Sequence, residues 1–101
     1  MYIVIYRFEV IEGQEEQFKT VWAKLTQAYL DYSKSLGSRL HSDGDGDFIA
    51  YAQWPNKEIF AKAKDRLPEH AKELGTHMKA LCTSISMLHN LEVELDLLER
   101  G

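Results

Sequence analysis

Leu36-Gly37-Ser38-Arg39-Leu40-His41-Ser42-Asp43-Gly44-Asp45-Gly46-Asp47-Phe48-Ile49-Ala50-Tyr51-Ala52-Gln53-Trp54-Pro55 is the stretch that decides the fold. Two runs with strand character, Leu36 to Ser42 and Phe48 to Trp54, flank two Asp-Gly pairs. Glycine accepts the positive φ of tight turns, and aspartate bonds its own local backbone, so the spacing predicts a β-hairpin. Pro55 lacks a ladder N–H and ends the second strand. The acidic run is not read as a calcium loop. Its DxDxDG spacing is incomplete, the liganding Glu is missing, and no helix flanks it.

Toward the N-terminus, Tyr2 to Val10 is rich in β-branched and aromatic residues and predicts a strand. Tyr2, Val4, Tyr6, Phe8 and Val10 lie on one face, Ile3, Ile5, Arg7 and Glu9 on the other, so both faces begin apolar. Gly13 is the expected N-cap of a helix whose first turn carries Glu15 and Glu16, suited to the positive end of its dipole. Phe18, Val21, Trp22, Leu25, Ala28, Tyr29 and Tyr32 form its apolar stripe, and it should end near Lys34.

Toward the C-terminus, Asn56 can cap a helix that carries Ile59, Phe60 and Ala63 inward. Pro68 suits the first turn of a further helix, so Asn56 to Leu81 reads either as two helices broken at Leu67-Pro68, the favoured reading, or as one kinked element. Ala71, Leu74, Met78 and Leu81 form that helix's stripe, with Cys82 near its end. Ser84 to Leu98 then alternates, with Met87, His89, Leu91, Val93, Leu95 and Leu97 on one side. Period two over that length predicts one long strand whose far end reaches past its own sheet.

The order is βαββαβ, the ferredoxin-like α+β arrangement: a four-stranded antiparallel sheet with helices on one face. The first strand's second apolar face then needs a cover. A homodimer packed sheet on sheet, a dimeric α+β barrel, would supply it.

A chain of 101 residues fits a single domain, 1–101. Net charge of −4 and the lack of a Lys/Arg run argue against nucleic acid as partner. No apolar run is long enough to span a membrane, and the apolar opening is too short for a signal peptide, so a cytoplasmic location is the expectation. With one cysteine, Cys82, and no Cys/His pattern, no metal site is expected.

Gly37-Ser38-Arg39-Leu40-His41, the acidic turn, and Ile49-Ala50-Tyr51-Ala52-Gln53-Trp54-Pro55 together resemble the antibiotic biosynthesis monooxygenase (ABM) domains. The opening, Arg7-Phe8-Glu9-Val10 followed by Gly13-Gln14-Glu15-Glu16-Gln17-Phe18, is similar as well. The resemblance implies a dimeric α+β barrel with a pocket between the sheet and helices of one subunit. Some members oxidise polycyclic aromatic ketides with dioxygen and no metal or flavin, others degrade haem, and others have no established activity. The haem-degrading branch uses an Asn, a Trp and a His. Their positions fall here on Tyr6, Ala63 and near Glu73, so that chemistry is not expected.

The resemblance thus implies a cofactor-independent monooxygenase acting on a small apolar or aromatic molecule. Such chemistry needs an apolar pocket and a base or hydrogen-bond donor that favours the substrate anion. Tyr6, His70 and His77 are the candidate catalytic residues, and Phe8, Trp22, Arg39, Trp54 and Phe60 the candidate pocket lining. His70 and His77, seven apart on one helix, share a face but lie about 10 Å apart along the axis, too far to chelate one metal. The bland alternative for both is an exposed helix residue. His89 reads as a core or interface histidine, His41 as a surface strand residue, and Arg7 as an ion-pair partner of Glu92 or Glu94. The competing functional readings are a non-catalytic small-ligand-binding or stress-related dimer and a purely structural oligomerisation domain.

Overall fold

The computed structural model describes residues 1–99. Its elements are β1 (Tyr2–Val10), α1 (Glu15–Tyr32), β2 (Gly37–Ser42), β3 (Asp47–Trp54), α2 (Lys57–Ala61), a 3-10 turn (Lys64–Arg66), α3 (Glu69–Ala80) and β4 (Cys82–Glu92). The strands form one antiparallel sheet in the order β2-β3-β1-β4. This is the expected ferredoxin-like α+β arrangement. Among the described residues, no helix is long and apolar enough to cross a membrane.

The hairpin forms as its chemistry dictates. Gly44 and Gly46 take φ of +88° and +90°, and Asp43 Oδ1 accepts from the backbone N–H of Asp45 at 2.8 Å and of Asp47 at 3.3 Å. Asn56 caps α2 by accepting from the Ile59 N–H at 2.8 Å. The chain breaks at Leu67-Pro68, with Pro68 standing just before α3 as its N-cap.

The α1 boundaries differ from expectation. Gln14, not Gly13, is the N-cap. Gly13 has φ of +90° and makes the turn out of β1, while its N–H donates to the Glu15 carboxylate at 2.8 Å. The helix stops at Tyr32 because Ser33 is buried and donates its hydroxyl to the Ala63 carbonyl at 2.6 Å. Lys34 then turns left-handed at φ +62°.

β1 face one packs on the helices. Phe18 of α1, fully buried, lies between Phe8 (ring centroids 5.1 Å) and Phe48 (5.3 Å, stacked). Leu25 and Ala28 meet Leu67 and Ala71, tying α1 to α3. At the other end Tyr2, Val4, Ala52, Trp54 and Ala63 close a second cluster.

β4 is where the sequence pattern misleads. The strand runs Cys82–Glu92, not Ser84–Leu98. Ile5 pairs His89 but Tyr6 pairs Met87, so Leu88 is an extra residue in the ladder. One extra residue reverses the alternation. Ile85 and Met87 therefore share the helix-facing side with Phe8 and Tyr6, whereas His89 and Leu91 share the other side with Ile5 and Ile3. The single apolar side expected from Met87 through Leu97 is split between two faces. His89 is exposed, and Cys82 opens β4 rather than ending a helix. Beyond β4, the Val93 N–H donates to the Met1 carbonyl at 3.0 Å, and Leu95, Leu97 and Leu98 are exposed.

Arg7 pairs with Asp47 at 2.6 Å, not with Glu92 or Glu94. The register explains this. Glu9 lies opposite Asp47, one diagonal from Arg7, while Glu92 lies opposite Tyr2 at the far end of β1.

Candidate functional site

The buried face of β3 reads Phe48, Ala50, Ala52, Trp54. Large residues stand at its ends and two alanines at its centre. Tyr6 lies opposite Ala50 and Val4 opposite Ala52. Short side chains there leave room that the helices above do not fill. A cavity of about 730 Å³ results between sheet and helices, within the roughly 300–1,000 Å³ usual for small-molecule sites. Tyr6, Phe8, Ala50, Ala52 and Trp54 line it from the sheet; Trp22, Leu25, Thr26 and Tyr29 from α1; Phe60 from α2.

Trp54 supplies the sharpest polar feature. It is 5% exposed, and its Nε1 is the one buried side-chain polar atom without a hydrogen-bond partner among the described residues. Its ring is held edge-on by Tyr29 (5.7 Å) and Phe60 (5.6 Å). A buried, unpaired N–H costs about 1–3 kcal/mol. A ring fixed on two sides cannot turn to find a partner, so the donor stays unpaired.

Tyr6 and Tyr29 add two phenols. Burial first, then the neighbouring Tyr29 and Tyr2, push the Tyr6 hydroxyl up to about 12. Burial also raises Tyr29. Both are therefore neutral donors at ordinary pH, not bases. Because the folded value of Tyr6 lies above its unfolded value of 10.0, its contribution to stability is complete below pH 10 and disappears as pH rises through 12. Wild-type protein should lose about 2–3 kcal/mol more unfolding free energy across that window than Tyr6→Phe. Denaturant titrations at pH 9 and above pH 12 measure the difference, and parallel curves for the two proteins would show that Tyr6 is not held in its neutral form.

Five of the eight candidates, Tyr6, Phe8, Trp22, Trp54 and Phe60, line the cavity. His70, His77 and Arg39 are not among its lining residues. His70 sits edge-on to Tyr32 at 6.3 Å, and His77 Nε2 lies 3.4 Å from Gln17 Nε2. Both histidines thus meet α1 on its exposed flank. Arg39 is opposite Tyr51 and points to the sheet's other face. Tyr29, read from the α1 stripe as core packing first and ligand lining second, lines the cavity; the pattern did not single out Ala50, Ala52, Lys64, Lys72 and Lys79, which line it too. Two adjacent small residues on a buried strand face were the legible hint. Among the described residues, no group of three His, Cys, Asp or Glu is placed to hold a metal ion.

No protein-family model matches the chain, and no curated protein matches it. Solved structures do. SnoaB, a cofactor-independent oxygenase from Streptomyces nogalater, superposes with a TM-score of 0.76 at 20% identity, covering 97% of both chains. Rv0793 from Mycobacterium tuberculosis gives 0.76 at 11% identity, covering 96% of this chain and 98% of its own. A structure described as an antibiotic biosynthesis monooxygenase gives 0.69 at 16% identity, covering 88% and 97%. The chain has the fold of the antibiotic biosynthesis monooxygenases.

Proposed function

We propose that the chain is a cofactor-independent monooxygenase that binds a small aromatic molecule bearing carbonyl or phenolic oxygens in the cavity between its sheet and helices. The observation that carries this reading is the unpaired, buried Nε1 of Trp54 on an apolar wall. Trp54, Tyr6 and Tyr29 offer hydrogen-bond donors, and the one carboxylate among the lining residues, Asp65, is exposed. Such a site stabilises oxygen-centred negative charge better than it removes a proton. The fitting substrate is therefore one acidic enough to ionise once its oxygen is hydrogen-bonded, such as an anthrone. Its anion reacts with dioxygen to form a carbon–oxygen bond, and water leaves as the ring CH2 becomes a carbonyl. One O2 is consumed and one H2O released per substrate. The description of SnoaB as a cofactor-independent oxygenase supports the same assignment.

Oxygen-electrode measurements with a panel of anthrone- and quinol-like substrates test it. Uptake of one O2 per product is expected. Binding of the panel without uptake would leave a non-catalytic ligand-binding domain instead.

The acting form in this proposal is a homodimer. The sheet face away from the helices carries Ile5, Ile49, Tyr51 and Leu91, and the tail adds three exposed leucines. Sedimentation at micromolar concentration should give twice the 11.7 kDa chain mass; a species of one chain mass would remove the dimer.

A further inference from the structure

The cavity's mouth is defined by those lining residues that are exposed: Ala61, Lys64, Asp65, Thr76, Lys79 and Met87. Lys72, half-buried, lines it too. Lys72 and Lys79 are seven apart on α3, so both lie on one face. They stand two residues on from His70 and His77, about 200° around the helix. The same rotation that turns the histidines to α1 turns the lysines to the opening. Lys64 joins them from the 3-10 turn.

Three lysines against one aspartate make this opening cationic in a chain of net charge −4. Their charge is largely uncommitted. Lys72 reaches only Glu69, at 3.6 Å, a helix neighbour whose side chain is 89% exposed. Lys64 and Lys79 form no ion pair among the described residues. Behind the opening the wall is apolar, and its buried polar group is a donor, the Trp54 N–H.

We infer that the site selects an amphipathic anion: a planar apolar body with acceptor oxygens seated against Trp54, and a carboxylate held at the mouth by Lys64, Lys72 and Lys79. This rests on the cavity being the ligand site proposed above, and it adds the charge and orientation of the ligand. Cations around a low-dielectric opening also raise the local concentration of an anionic ligand before it enters.

Calorimetric titration with anthraquinone-2-carboxylate and its neutral isostere anthraquinone-2-carboxamide is the test. The carboxylate should bind about tenfold more tightly at low salt, from roughly twofold for each of three lysines. That advantage should shrink in 0.5 M NaCl, where a Debye length of roughly 4 Å screens the lysine charges. The double variant Lys64→Gln/Lys79→Gln should remove most of the carboxylate's advantage, leaving the share from Lys72, without weakening the amide. Lys64→Arg/Lys79→Arg should retain the preference. Equal affinities in the wild type, or equal weakening of both probes in the glutamine variant, would overturn the inference and leave the cavity reading intact. No binding of either probe would overturn both.

Discussion

In the proposed oxygenase reaction, replacing Trp54 with phenylalanine is expected to lower turnover about 100-fold, the usual cost of losing one donor to a developing oxyanion. The loss should fall on kcat rather than KM, because the N–H strengthens its bond as charge builds on the substrate oxygen. Stability should move much less. Phenylalanine keeps the edge-on contacts with Tyr29 and Phe60 and removes the buried N–H that has no partner. Relief of about 1–3 kcal/mol from the lost unpaired donor opposes a packing loss of similar size. Oxygen uptake and a thermal melt on the same preparation separate the effects. Full activity in the variant would remove Trp54 from the chemistry. A collapsed melting temperature with normal kcat in the folded fraction would make it a packing residue.

Phe18→Ala is expected to produce the opposite signature, a loss of about 3–5 kcal/mol of stability with kcat per folded molecule unchanged. Phe18 is fully buried and bridges β1 to β3 through Phe8 and Phe48. It does not line the cavity. Truncation leaves a void between two strands and a helix that cannot collapse without moving the sheet. Domains of this size hold only about 5–15 kcal/mol in total, so the melting temperature should fall by roughly 15–30 °C. A drop of only a few degrees would show that α1 is secured to the sheet elsewhere, at the Leu25–Leu67 cluster.

The two substitutions probe different depths of legibility. Phe18 belongs to a helical stripe visible in the sequence, and its burial followed from spacing alone. Trp54 was also visible, as the last strand residue before Pro55, but its unpaired N–H was not. Whether a donor finds a partner depends on every side chain packed around it. The histidines show the same limit. Spacing put His70 and His77 on one face of α3 but could not say which way that face looked. The packing of α3 on α1 turned them away from the cavity, toward Tyr32 and Gln17, and turned the lysines to its mouth.

By itself the sequence determined the element order, the hairpin and the one-sided helix layer, because these follow from local chemistry: Asp-Gly turns, period-two strands, a 3.6-period stripe, an Asn cap. Only the tertiary structure decided the rest. Leu88 is extra in β4 solely with respect to its partner β1, and that one residue exchanges the faces of everything after it. The cavity exists because Ala50 and Ala52 of β3 meet Tyr6 and Val4 of β1 beneath helices that span them. Each alanine is unremarked in its own strand, and the space they leave belongs to the pairing of distant segments.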